Sequence, residues 1–147
     1  MPGPVSVLAD VQEAIKEALE GNVTLNSTAV PVKANLGKNT AAPYILIGDG
    51  TEVADNCADE YGSQVTVTIQ LVTQGRGVAG KEGYYRYTDV NSGISQIRQL
   101  LDGRNIKPDG AAGTRWACLL EMNQKIPEPD GETLRGVCRY RVWVDGL

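Results

Sequence analysis

The sequence predicts an α+β domain: an antiparallel or mixed β-sheet with two α-helices packed on one face, closed by a terminal β-hairpin. Three observations carry this. Apolar residues recur at helical spacing in two stretches, residues 6–20 and 84–101. Between them Val65, Val67, Ile69 and Leu71 alternate with Gln64, Thr66, Thr68 and Gln70, the pattern of a strand with one buried face. The last third holds two further alternating runs separated by a Pro- and Gly-containing turn. Helices on one side of such a sheet would leave its other, polar side free to meet something else. The 147 residues are read as one domain, 1–147, long enough for a single core without staples.

In the first stretch Val7, Leu8, Val11, Ile15, Ala18 and Leu19 form the apolar stripe and Glu13, Lys16, Glu17 and Glu20 face away. Ser6 is expected as its N-cap and Gly21 as its C′ residue. A polar loop to Thr28 is expected next. Residues 29–34 are β-branched but contain Pro31, which lacks a ladder donor, so at most an edge strand is expected. The run Pro43-Tyr44-Ile45-Leu46-Ile47-Gly48 reads as a buried strand ending at an Asp49-Gly50 turn, and residues 51–61 as an acidic irregular segment. After the alternating strand comes a glycine-rich loop, residues 74–83. The second helix has Tyr87, Val90, Ile94, Ile97 and Leu101 on one stripe, weakened at Asn91-Ser92-Gly93 and closed at Gly103. Residues 106–113 form a Gly/Pro linker. In the final hairpin Trp116, Cys118, Leu120 and Met122 should share one face of the first strand. Leu134, Gly136, Cys138, Tyr140, Val142 and Val144 should share one face of the second, with Asp130-Gly131 in the turn.

Composition narrows the function. The net charge is −4 and the pI about 4.8. That balance disfavours gripping a phosphate backbone, which needs concentrated Lys and Arg. The three cysteines are odd in number and far apart, with no CxxC pair, which points away from a disulfide framework and towards a reducing assembly compartment. Cys118 and Cys138 sit on apolar positions of strand-like runs; buried thiols are expected, either separate or as strand neighbours. No run reaches the length of a membrane helix, and Met1-Pro2-Gly3-Pro4 does not resemble a signal segment, so synthesis in the cytosol is expected and the sequons at Asn22 and Asn26 read as chance matches.

Histidine is absent, which removes Ser-His-Asp and Cys-His catalysis and most zinc sites. Ser-Lys and carboxylate chemistry have no local signature. The loop from Gly75 to Lys81 satisfies GxGxxG through Gly75, Gly77 and Gly80, and also GxxxxGK, with Arg76 and Lys81 as its cations. The first pattern normally opens a βαβ unit behind a continuously apolar parallel strand, and this one follows an alternating, half-exposed strand. The second has Glu82 where a hydroxyl should hold Mg²⁺, and a carboxylate there repels phosphate. A strand-to-helix connection is therefore the expectation; a small nucleotide-binding domain or enzyme using this loop is the alternative from another class.

Two charged groups are candidates for contact. Asp49, Glu52, Asp55, Asp59 and Glu60 form an acidic segment without the spacing or closing Glu of a calcium loop, so it reads as solvated or lumen-facing. Arg135, Arg139 and Arg141 form a one-sided row on the last strand. They are either a solvated face partly paired with acids or an interface for the acidic segment of a neighbouring copy.

The order of elements, together with Ala42-Pro43-Tyr44-Ile45-Leu46-Ile47-Gly48-Asp49-Gly50-Thr51-Glu52, resembles a family of tail-completion (tail-terminator) proteins of long-tailed bacteriophages and prophages. There a short N-terminal helix leads to a Pro-Tyr-hydrophobic-Gly strand, a polar loop, an alternating strand, a Gly-containing loop, a helix and a terminal hairpin. The resemblance covers residues 5–145. It implies a structural protein of the virion with no substrate and no cofactor, assembled in the host cytoplasm. It implies a ring of this chain, commonly a hexamer, that caps the tail tube and joins tail to head. Its partners would be itself, the tail tube protein and a head-closure or neck protein, with DNA passing through unbound and no membrane involved. A neck or head-closure adaptor is the alternative within that class. Acidic loops would then line the bore.

Overall fold

The computed structural model describes residues 5–34, 41–75 and 87–147. The elements run α1 (Leu8–Leu19), β1 (Thr24–Leu25), β2 (Thr28–Ala29), β3 (Val32–Lys33), β4 (Tyr44–Ala54), β5 (Gly62–Gln74), α2 (Tyr87–Leu101), β6 (Arg115–Pro127) and β7 (Thr133–Asp145). Five strands form one sheet in the order β3-β4-β5-β7-β6. β3 is parallel to β4 and the other pairs are antiparallel, so the sheet is mixed. β5 and β6 run in the same direction with β7 between them, and α2 is the crossover. Both helices lie on one face, as the α+β reading requires.

The core lies between helices and sheet because alternation and helical period agree there. Val11, Ile15 and Leu19 of α1, and Val90, Ile97 and Leu101 of α2, are fully buried against Val65, Val67, Ile69 and Leu71 of β5 and Cys138, Tyr140, Val142 and Val144 of β7. Gly93, which weakens α2 on propensity, is placed by packing: a Cβ there would stand 2.1 Å from Leu71 Cδ2. Opposite it Gly136 leaves room for Val90 and Ile94, whose methyls a Cβ would meet at 3.0 and 2.9 Å. Two glycines on facing elements thus bring α2 close to the sheet. Tyr87, placed on the apolar stripe by spacing, is exposed at the helix start, with Lys125 Nζ 5.8 Å from its ring.

The polar loop after α1 is more ordered than its sequence suggests. Asn26 and Ser27 both take positive φ, +53° and +64°, the backbone of a two-residue hairpin turn joining β1 to β2. Gln96 of α2 holds this hairpin by mimicking a strand: its Oε1 accepts from Thr24 N and its Nε2 donates to Thr24 O, both at 2.8 Å.

Three expectations fail for one physical reason, a residue inserted into a strand. The run at 43–48 does not end at a turn. Gly48 and Asp49 bulge opposite Thr68, and β4 continues to Ala54. Residues 51–61 are therefore strand followed by a short hairpin loop with a Cys57–Glu60 bridge. In β6 a second bulge lies between Leu120 and Met122, so Met122 pairs with Arg139 and faces away from Trp116 and Cys118. Each bulge reverses the facing of the remainder of its strand.

Candidate assembly surface

The sheet face turned away from the helices is built from the alternate residues of the same strands. β5 contributes Gln64, Thr66, Thr68 and Gln70, and β7 contributes Arg135, Val137, Arg139, Arg141 and Trp143. β6 contributes Leu119 before its bulge and Met122, Gln124 and Ile126 after it. Apolar side chains stand in the open here: Leu119 is 46% exposed, Ile126 39% and Val53, turned outward by the β4 bulge, 61%. No helix covers this face among the described residues.

The arginine row lies on this face, as the alternation requires. Arg135 pairs with Glu128, and its Nη1 donates to Gln70 Oε1 at 3.0 Å. Arg141 pairs with Glu121 at 2.9 Å and lies 5.6 Å from the Trp143 ring, while its Nε is buried without a hydrogen-bond partner among the described residues. Arg139 is exposed and makes no ion pair or hydrogen bond among the described residues. Two members of the row are thus braced by acids that sequence spacing did not connect to them. Glu121 is the bulge residue, and Glu128 lies in the hairpin turn, where Asp130 accepts from the backbone N–H of Glu132 and Thr133 at 2.9 and 2.8 Å.

The acidic residues do not form one cluster. Asp55, Asp59 and Glu60 are exposed in the β4–β5 loop, and Asp49 is exposed in the β4 bulge. Glu52 is elsewhere. The bulge turns it to the helix side, where its carboxylate accepts from Ser6 Oγ and, at 3.2 Å, from the backbone N–H of Val7. Val7 and not Ser6 occupies the N-cap position, and it supplies no side-chain cap. Glu52 stands in, satisfying donors that α1 leaves open and placing a negative charge at the positive end of the helix. Burial raises its carboxyl, but hydrogen bonds from Ser6, Ser63 and the Val7 and Leu8 backbone outweigh that and hold it below the ordinary carboxylate range. No group of His, Cys, Asp and Glu able to hold a metal occurs among the described residues.

Arg76 and Lys81, with most of the glycine loop, lie outside the described residues. Gly75 is buried and its N–H donates to Glu132 O at 2.9 Å. The preceding strand, β5, has antiparallel neighbours on both sides, unlike the parallel strand ahead of a dinucleotide loop. Cys118 and Cys138 are free, buried thiols on adjacent strands. They are not opposite each other: Cys118 pairs with Val142 and Cys138 with Asn123, a four-residue offset of about 13 Å along the strands. Burial pushes both thiols up to about 12, with the charge of Asp102 adding to the effect on Cys118, so neither is a nucleophile near neutrality. Tyr140, buried close by with its hydroxyl unpartnered among the described residues, is likewise raised by burial.

At the sheet edge the end of α2 closes part of β6. Asp102 Oδ1 accepts from Leu120 N at 2.9 Å, and Gly103 N donates to Cys118 O at 2.8 Å. The hydrogen bond from Leu120 outweighs the opposing effect of burial, and the neighbouring Arg98 adds to it, so the Asp102 carboxyl is held low. Gly103 takes φ +71°, the conformation expected where α2 closes. Lys125 and Pro127 guard the remainder of the edge against stray strand pairing.

Residues 10–145 match the profile of the family described as Tail completion protein gp17. The chain belongs to the tail completion protein gp17 family. The match begins in α1 and ends at the last residue of β7, so it takes in every strand of the sheet. A chain in the solved structure of the virion of a native gene transfer agent particle is similar to it in fold. That comparison has a TM-score of 0.71 at 16% identity and covers 97% of this chain and 100% of that one. A stretch of 112 residues is 29% identical to the cysteine–tRNA ligase of Geotalea uraniireducens (strain Rf4), taking 73% of this chain but 21% of the ligase. The tail completion chain thus spans about a fifth of the length of that curated relative.

Proposed function

We propose that this chain is a structural, non-enzymatic component of a virion that closes the end of the tail tube as a ring of identical copies, a hexamer, and joins tail to head. The observation that carries the proposal is its membership of the tail completion family across residues 10–145. The fold shared with a chain of the gene transfer agent virion supports it. So does the open sheet face, where exposed Leu119, Ile126 and Val53 share the surface with Arg135, Arg139 and Arg141.

In this reading residues 1–147 act as one domain, and the partners are further copies, the tube protein and a head-closure protein. Asp49, Asp55, Asp59 and Glu60 line the bore, so that DNA slides past like charges instead of being retained by counterion-releasing contacts. Arg76 and Lys81 belong to the loop that meets the tube. Glu52 is given no place in the bore, because its carboxylate is engaged under α1.

Electron microscopy of purified particles carrying labelled chain tests the proposal, alongside light scattering of the isolated chain. The expected result is label at the head-proximal end of the tube and a ring on tube ends. Label on the portal side of a separate collar would make the chain a neck adaptor. Absence from mature particles, or melting that shifts with nucleotide, would defeat the reading.

A further inference from the structure

We propose that the copies join head to tail, with the acidic stripe of α1 on one copy laid across the arginine row on the open sheet face of the next. The proposal rests on the ring-forming reading and names the two surfaces that make the ring.

Asp10, Glu13, Glu17 and Glu20 are all exposed, and their spacing of three, four and three residues puts them on one stripe of α1. None makes an ion pair among the described residues, although Lys16 lies on the same helix. Like charges at this spacing disfavour a helix, and Lys16 together with the first-turn position of Asp10 offsets them only in part. The stripe borders a groove of about 500 Å³ between α1, α2 and the segment after it, whose apolar lining includes Ala14, Ala18, Leu100 and Ile106. The groove continues beside Pro108 and Ala111. Arg104 also lines the groove, with its Nε donating to Gln99 O at 3.1 Å, but the exposed acids of α1 and Asp109 outnumber it, and an acidic rim beside apolar residues calls for a cationic, partly apolar mate.

This molecule carries such a surface on its opposite side. Among the described residues Arg139 makes no ion pair, and Leu119 and Ile126 stand exposed in the neighbouring strand. The acids already on that face, Glu121 and Glu128, are occupied by Arg141 and Arg135, which leaves Arg139 as the open charge. The lengths agree. Positions 135 to 141 span about 20 Å of strand; positions 10 to 20 span about 15 Å of helix, and arginine side chains bridge the difference. A helix on this face repeats the packing that α1 and α2 make on the other one. The two surfaces lie on opposite sides of one molecule, so they cannot meet within it, and the contact is heterologous: it closes as a ring or grows as a filament.

The test uses the full chain with Arg139→Glu and Glu17→Lys, each followed by sedimentation velocity over a concentration series. Both positions are exposed, and unchanged thermal unfolding will establish that the variants fold. Each reversal is expected to weaken self-association by about tenfold or more. An equimolar mixture of the two should recover assembly with alternating copies, because one junction then keeps its native charges and the next has both charges exchanged. Both changes in one chain should restore assembly. Wild-type assembly by both single variants, or no recovery of assembly by either the mixture or the double variant, would overturn the proposal while leaving the ring intact. Failure of the wild-type chain to associate at any concentration, or on tail tubes, would remove the ring reading together with it.

Discussion

The two faces of the sheet are made from the same strands, and neighbouring residues obey different rules. On the helix side Ile69 is fully buried in the core, where a change of one methyl is felt. One residue earlier, Thr68 stands on the uncovered side. The helix side is constrained by packing, and the Glu52 carboxylate on it is engaged by the start of α1. The open side carries three arginines and exposed apolar side chains that contribute little to the core. Residues whose chemistry folding does not explain are concentrated there and along α1, and that is where contacts with other molecules are sought.

Mutations can break or sharpen this contrast. The largest effect is expected from Ile69→Ala, which should cost about 2–5 kcal/mol through lost burial and the cavity left, read by denaturant unfolding. Gly136→Val should cost about 1–3 kcal/mol, because the side chain enters the space of Val90 and Ile94; a neutral result would mean that α2 does not approach the sheet as described. Glu52→Gln should remove about 1 kcal/mol by weakening the cap on α1, and helix content by circular dichroism should fall with it. Thr68→Ala and Arg139→Ala should stay within about 0.5 kcal/mol of the parent, and Arg139→Ala alone should lower assembly.

Acid sharpens the same point. Glu52 and Asp102 both have carboxyls depressed in the folded state. Their contribution is therefore fully present above the unfolded values of about 4 and is lost as pH falls through the depressed folded values. Thermal unfolding should fall steeply in that acid range. Glu52→Gln and Asp102→Asn should each flatten the fall, and Arg139→Ala should not.

Much of the fold was legible. The spans of α1 and α2, the alternation of β5 and β7, the Asp130-Gly131 turn and the sidedness of Arg135, Arg139 and Arg141 all follow from residues a few positions apart. The misses share a cause. Alternation cannot register a bulge, so it puts Met122 on the wrong face, ends β4 at Gly48 when the strand runs to Ala54, and groups Glu52 with the acidic loop. The two positive-φ residues of the β1–β2 hairpin, Asn26 and Ser27, lack the Asn-Gly signature that marks such turns.

The sequence by itself determined the helix and strand periods, the absence of histidine chemistry, the acidic balance and which residues of β7 face together. These are local properties, set by the 3.6- and 2-residue repeats and by composition. Only the tertiary structure decided that Glu52 caps a helix 45 residues away, that Glu121 and Glu128 brace the arginines, and that Arg139 is left open. It alone placed the acidic stripe of α1 on the opposite side from that row. Such pairings depend on strand register and on inserted residues that shift it, and those are settled when the whole sheet closes against its helices.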